Sequence, residues 1–342
     1  MKNLISLILV TLIFGCGGKD DISTNIDNVN LSYSLKIDSY KDLKYPISGI
    51  NKILSYRDKI ILVDYKQKSI YTCDHNFSVL KRIDLMNKYD FMFKSRIADV
   101  HLKDDILYFS DDTFVIKKYY LKTDQVKSVE LKVKYFQGFP FNIAIDYNRN
   151  IIASFGCLYN SGQDKIKGEY FWGAIYDSLG NSIKALTLSK EDFGHEQINS
   201  DYAYYFGTEY NKYVCFKFSK YVIKLDSMFN KVKKYTLITD KGWLKPYINK
   251  DKGVYGKNIN YQPICRYKNY FLSLILPDES TKDTKMIVYD ASFNPVKIIV
   301  LNGIKERYWY NTTISEDNMF LYNQYGSFDQ NIYLYDLSKI GL

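Results

Sequence analysis

The octapeptide KEDFGHEQ, residues 190–197, holds the densest set of groups in the chain that could move a proton: Glu191, Asp192, His195 and Glu196. An imidazole titrates near neutrality and carboxylates beside it can orient it, so His195 with Glu196 and Asp192 is the catalytic candidate. Asp164 or Glu169 would supply a second carboxylate for glycan cleavage. A solvated acidic loop has the same composition. The other two histidines, His75 and His101, stand far away in sequence, and no GxSxG, HExxH, Walker or strand-preceded GxGxxG motif occurs. No cluster of ligating residues is tight enough for calcium or zinc, so no metal and no cofactor are expected.

A second chemistry is recognition through flat aromatic faces. Trp172, Trp243 and Trp309 fall in or beside long connections, with Tyr170, Tyr247, Tyr255, Tyr308 and Tyr310 near them. Trp and Tyr join an apolar face to a hydrogen-bonding tip, which suits a sugar ring or a peptide side chain. The ligand-binding candidates are Trp172, Trp243, Trp309, Tyr170, Tyr247 and Tyr308. Packing of loops and seams is the competing use of such residues in a chain with 34 Tyr.

The elements that must position these groups come from a repeat. Apolar runs end at Asp74, Tyr120, Asp177, Asp226, Asp290 and Asp336. Six and seven residues after each of the first five stands an apolar residue followed by Lys: Leu80-Lys81, Val126-Lys127, Ile183-Lys184, Val232-Lys233 and Val296-Lys297. The markers stand about 46 to 64 residues apart, a spacing suited to propeller blades. Asp and Asn set up a turn by bonding nearby backbone. The two residues after the turn point to opposite faces, and Lys on an outer strand discourages edge pairing. Two further apolar runs precede each marker, so each unit carries four short strands, A to D, rich in Tyr, Phe, Ile and Val.

The last unit lacks a fourth strand, since only six residues follow Asp336. Near the other end VNLSYSLKID alternates, with Val29, Leu31, Tyr33, Leu35 and Ile37 on one face, and its Leu35-Lys36 matches the repeat. The expectation is an all-β, six-bladed β-propeller with four antiparallel strands per blade, the last blade closed by the N-terminal strand. In such a blade the B-to-C and D-to-A connections share one face. Every long insertion belongs to that class: 157–171, 189–202, 239–258 and 277–285. Long loops on a rigid scaffold are where binding usually resides.

On these motifs the chain resembles the TolB-like or NHL-like six-bladed β-propellers found as lipoproteins in Bacteroidota, a resemblance that covers nearly everything after residue 28. It implies architecture more than activity, since such propellers include binding scaffolds, lyases and hydrolases.

The N-terminus has Lys2 ahead of an apolar stretch from Leu4 to Phe14, too short to span a bilayer and typical of a signal peptide. IFGC resembles a bacterial lipobox with Cys16 as the acylated first residue, and Lys19-Asp20-Asp21 resembles the signal that sends Bacteroidota lipoproteins to the cell surface. The expected organisation is a signal peptide over 1–15, an acylated Cys and flexible tether over 16–28, and the propeller over 29–342. Cys73, Cys157, Cys215 and Cys265 have no CxxC spacing and are expected as buried thiols, one disulfide between blades staying open in an oxidising compartment. A formal charge of +9 is spread among 38 acidic residues without a basic block, which argues against nucleic acid.

The expected function is that of an outer-membrane, exterior-facing lipoprotein that binds a glycan, glycopeptide or partner protein through its loop-rich face without chemistry. Two alternatives stand beside it. One is a glycan lyase or hydrolase using His195 and nearby carboxylates, and the other is a docking subunit of an outer-membrane complex.

Overall fold

The structure, a computed structural model, describes residues 26–47, 49–88, 97–111, 113–133, 140–155, 165–166, 169–189, 192, 203–207, 211–216, 221–237, 248–249, 253–254, 264–275, 284–304, 310–323 and 331–342. Two short strands, β1 (Asp27–Ser32) and β2 (Leu35–Asp38), precede the blades. Blade 1 is β3 (Ile50–Tyr56), β4 (Lys59–Asp64), β5 (Ser69–Cys73) and β6 (Val79–Asp84), followed by a single helical turn, α1 (Leu85–Lys88). Blade 2 is β7 (Ile97–Lys103), β8 (Ile106–Asp111), β9 (Val115–Tyr120) and β10 (Gln125–Glu130). Blade 3 is β11 (Pro140–Ile145), β12 (Ile151–Phe155), a two-residue β13 (Lys165–Ile166), β14 (Glu169–Tyr176) and β15 (Ser182–Leu188). Blade 4 is β16 (Ala203–Gly207), β17 (Lys212–Phe216), β18 (Tyr221–Leu225) and β19 (Lys231–Thr236), after which β20 (Ile248–Asn249) and β21 (Gly253–Val254) pair with each other. Blade 5 is β22 (Cys265–Tyr267), β23 (Tyr270–Ile275), β24 (Thr284–Tyr289) and β25 (Pro295–Asn302). Blade 6 is β26 (Tyr310–Ser315), β27 (Asn318–Asn323) and β28 (Asn331–Asp336), and the chain ends in a 3-10 turn over Leu337–Ile340.

Each blade is an antiparallel sheet in sequence order, and the ring is closed as the repeat predicts: β2 pairs antiparallel with β28, Leu35 opposite Leu334. The N-terminal segment differs from expectation in being two strands. β1 lies parallel to β25 as a fifth strand of blade 5, Asp27 opposite Lys297, and the chain then steps to blade 6 at Tyr33 and Ser34. The step has a local cause. The Tyr33 ring sits edge-on to Tyr333 at 5.5 Å and to Tyr335 at 6.3 Å, and it covers Gly303, where any Cβ would come within 2.5 Å of it.

The inner strands of each blade read as unbroken apolar runs because both of their faces are covered. In β4, Ile60 and Leu62 join the core shared with blade 6 while Ile61 and Val63 join the core shared with blade 2. Six such cores are present among the described residues, one for every seam between neighbouring blades. Each fully buried Ile, Leu or Val contributes about 1.5–3 kcal/mol. A polar belt on and beside the innermost strands adds direction. Asn51 Nδ2 donates to Ile97 O (3.2 Å), Ser154 Oγ to Ala203 O (3.0 Å) and Thr313 Oγ1 to Ile53 O (2.7 Å), each crossing to the next blade. Asp99 accepts from Lys52 Nζ of blade 1 (2.7 Å) and from Ile143 N of blade 3 (3.0 Å), so one carboxylate ties three blades.

The C-to-D turns explain the marker. At Asp177 and Asp290 the carboxylate Oδ1 accepts from the backbone N–H two and four residues on, and Oδ2 from the side chain of Asn181 or Asn294. Asp74 Oδ1 accepts from Asn76 N and Ser78 N, and Asp226 accepts from Asn230 N through Oδ1 and from the Asn230 side chain through Oδ2. The residue before that Asn or Ser has positive φ: Phe77, Gly180, Phe229 and Phe293. A bulky residue there is uncommon, and burial explains it: the three rings fold back into the blade core, Phe293 stacked on Phe271 at 4.7 Å. In blade 3 the position is Gly180, φ 85, because a Cβ would collide with the Glu130 carbonyl of blade 2. Tyr120 starts a different turn, its carbonyl accepting from Asp124 N at 2.9 Å.

The residues after the turn reverse the expected roles. The apolar one is exposed, Leu80 at 57%, Ile183 at 56% and Val232 at 60%. Its Lys neighbour bridges blades: Lys81 pairs with Asp124 (2.9 Å), Lys184 donates to Met228 O (2.5 Å) and Asn230 Oδ1 (2.7 Å), and Lys297 to Ile340 O (2.6 Å).

Candidate functional site

Strand order assigns the two faces of the disc. The A-to-B and C-to-D turns share one, here the turn face, and the B-to-C and D-to-A connections share the other, the loop face. On the turn face the A-to-B links are as short as Arg57–Asp58, Asp104–Asp105, Lys268–Asn269 and Glu316–Asp317. Their charges are spent on each other: Arg57–Asp105 at 2.9 Å, Lys122–Asp105 at 2.6 Å and Arg149–Asp104 at 3.3 Å. Hydrogen bonds from Lys122 and Tyr56 hold the Asp105 carboxyl down at about 2.

The best-described part of the loop face lies over blade 1, where residues 39–49 lead from β2 to β3. Asp38 Oδ1 accepts from Tyr40 N (3.0 Å) and Lys41 N (3.2 Å), Ser39 and Ile47 exchange bonds, and Leu43 and Ile47 sink into the seam. That leaves Tyr40, Lys41 and Lys44 outward, Tyr40 half exposed. Beside them the blade 1 B-to-C turn is set by Asp64, which accepts from Lys66 N and Gln67 N, and by Tyr65, whose ring fills the space a Cβ on Gly49 would need. Gln67 joins the two segments, donating to Pro46 O (2.8 Å) and accepting from Tyr71 OH (2.8 Å). The Arg82 guanidinium lies over Tyr45 (5.5 Å) and Tyr71 (5.7 Å), and Lys44 lies 5.5 Å from the Tyr45 ring. Cations standing over tyrosine rings suit a hydroxyl-rich or anionic ligand. The sequence signal for this patch is Tyr and Lys interleaved in SYKDLKYP, directly after the closing strand β2.

The positions named from sequence distribute as follows. Trp172 is corrected: at 2% exposure it packs the seam between blades 3 and 4 with Ile175, Leu186 and Val214, beside a bulge where Gly173 lets the Ala153 carbonyl approach closely. Tyr310 is likewise buried, its ring edge-on to Tyr333 at 6.1 Å. Asp192 is buried and structural, accepting from Ser189 N (3.1 Å), from Ser189 Oγ (2.9 Å) and from Lys231. The backbone of Tyr170 pairs with Lys165 and Leu188 in β14. Cys16, Lys19, Asp20, Asp21, Trp243, Trp309, Tyr247, Tyr308, His195, Glu196 and Cys157 lie outside the described residues.

The described residues offer little for catalysis. Burial and the charges of Lys52 and Lys103 push the His101 imidazole down to about 3, so it stays neutral and donates no proton near pH 7. Cys73, Cys215 and Cys265 stand as thiols, and burial pushes Cys73 and Cys215 up to about 12, far from a reactive thiolate. Among the described residues no group of three His, Cys, Asp or Glu could hold a metal ion.

Similarity to known proteins lies in the fold. No protein-family model and no curated protein matches the chain. Among solved structures, an exported protein of Bacteroides fragilis matches with a TM-score of 0.56 at 10% identity, over 90% of this chain and 98% of that one. A streptogramin B lyase matches with a TM-score of 0.51 at 12% identity, over 88% of this chain and 97% of that one. At these identities the likeness supports the propeller architecture alone.

Proposed function

We propose that this chain is an exported, lipid-anchored binding protein whose loop face holds a glycan or glycopeptide without chemistry. The observation that carries the reading is the division between the two faces. The turn face is closed by tight turns, ion pairs and bridging lysines, whereas the loop face gathers every long connection and, over blade 1, sets Lys41, Lys44 and Arg82 among Tyr40 and Tyr45. The signal-peptide pattern ending at Cys16 supports export and acylation, and an exported structural neighbour is in keeping with it. A glycan array probed with the mature protein tests the reading. Retention of at least one acidic or neutral glycan is expected, weakened about tenfold or more in Trp243→Ala or Arg82→Ala. Retention of no glycan at all would turn the assignment toward docking on an outer-membrane protein.

A further inference from the structure

We propose that the turn-face edge of blades 3 and 4 is a membrane-contact surface that rests on a layer of anionic lipid headgroups. Leu179 and Met228 sit at equivalent positions in successive C-to-D turns and are exposed by 73% and 67%, the most of any large apolar residues described. Ile183 and Val232, at the start of the two D strands, extend the same edge. Lys184 crosses the seam to the Met228 carbonyl, so these four side chains straddle a single junction. The equivalent turn positions elsewhere are Asn76 and Ser292, which confines the concentration of apolar tips to these two blades. The β fold has no use for them there, since the blade cores lie on the opposite side of each strand.

The charge around the patch fits the same occupant. Lys132 and Lys184 donate to asparagine side chains and a carbonyl, and Lys212 donates to the Ser227 carbonyl. The acceptors of these bonds are neutral. Against them stand Asp177 facing Lys132, Asp226 facing Lys184 and Lys212, and Asp146 facing Lys212; the carboxylates of Asp177 and Asp226 are also turned to the amides of their own turns. Lys233 adds an exposed cation beside Val232. Exposed apolar tips with Lys132, Lys184, Lys212 and Lys233 beside them match acyl chains beneath anionic headgroups.

A third observation concerns direction. Because β1 runs parallel to β25, Asp27 lies beside Lys297 at the end of blade 5 that carries the C-to-D turn. The chain therefore enters the propeller on the turn face, one blade from the patch. With that edge on the membrane, the loop face is held away from it.

The proposal does not depend on the ligand reading or on acylation, and the test separates them. The mature chain from residue 16, with Cys16→Ser, retains every strand of the closed ring. Its co-sedimentation with vesicles of phosphatidylcholine plus phosphatidylglycerol is expected, weaker with phosphatidylcholine alone and weaker at high salt. The variant Leu179→Ser/Ile183→Ser/Met228→Ser/Val232→Ser alters exposed side chains, so its melting curve stays that of the parent while vesicle binding falls by about tenfold or more. Tyr40→Ser/Lys44→Ala, on the loop face, keeps full binding. Absence of the parent from both vesicle pellets, or equal binding by the fourfold variant, overturns the proposal. So does light scattering that shows a dimer in the parent and a monomer in the variant, since the patch would then belong to a second copy.

Discussion

The two faces of this disc are built on opposite plans. The turn face repeats one local device, an aspartate whose oxygens collect backbone amides beside a residue at positive φ, which is an inward-turned Phe in blades 1, 4 and 5 and a Gly in blade 3. The loop face is less regular: Asp64 and Asp111 cap the B-to-C turns of blades 1 and 2 alike, but the connections differ in length and composition from blade to blade. Repetition on one side and variety on the other is the arrangement expected when one face supplies cohesion and the other is free to meet a ligand.

The comparison predicts that damage on the turn face is read in stability. Phe293→Ala removes a ring that is 2% exposed and stacked on Phe271, and should cost about 3–5 kcal/mol in a urea titration. A cost under about 1 kcal/mol would mean that the inward ring is dispensable and the turn alone suffices.

Acid should weaken the same face. Hydrogen bonds from Asn181, from Asn230 and from Ser338 hold Asp177, Asp226 and Asp336 below the ordinary carboxylate range. Their folded values lie under their unfolded ones. Their stabilisation is therefore complete above about pH 4 and is lost as pH falls through the folded values. Melting temperature followed downward from pH 5 should drop, and Asp226→Asn should make the drop shallower; an unchanged slope would remove the turn carboxylates from the acid limb.

The smallest effect on stability is expected on the loop face. Tyr40→Ala and Lys44→Ala should stay within about 0.5 kcal/mol of the parent in the same titration while lowering glycan retention severalfold. Loss of stability without loss of retention would assign Tyr40 and Lys44 to the scaffold.

The same division governs what could be seen in the sequence. The Asp markers were legible because their bonds run only two to four residues along the chain. The ring and its closure followed, since Leu35-Lys36 repeats the pattern and does pair with blade 6. What stayed hidden depends on the neighbouring blade. Lys184 reads as an edge guard until the carbonyl of Met228 appears beside it, and Ile183 reads as core until the strand's other side is seen to be the covered one. Trp172 looked like a rim residue because it begins a strand after a long insertion, yet the bulge at Gly173 seats it in the seam. The split at Tyr33 was equally invisible, because an alternating pattern is continued unbroken when a strand passes from one sheet to the next.

That split would matter if the protein is tethered through its N-terminus, as proposed. β1 runs alongside β25 from Asp27 to Ser32, and the chain approaches from the Asp27 end. A pull on the tether away from the turn face acts along the strand and loads all of its rungs together in shear, where a pull across the strand would peel them one at a time. The added strand on blade 5, which precedes the pairing that completes the circle, would thus take up force from such a tether before it reaches β2.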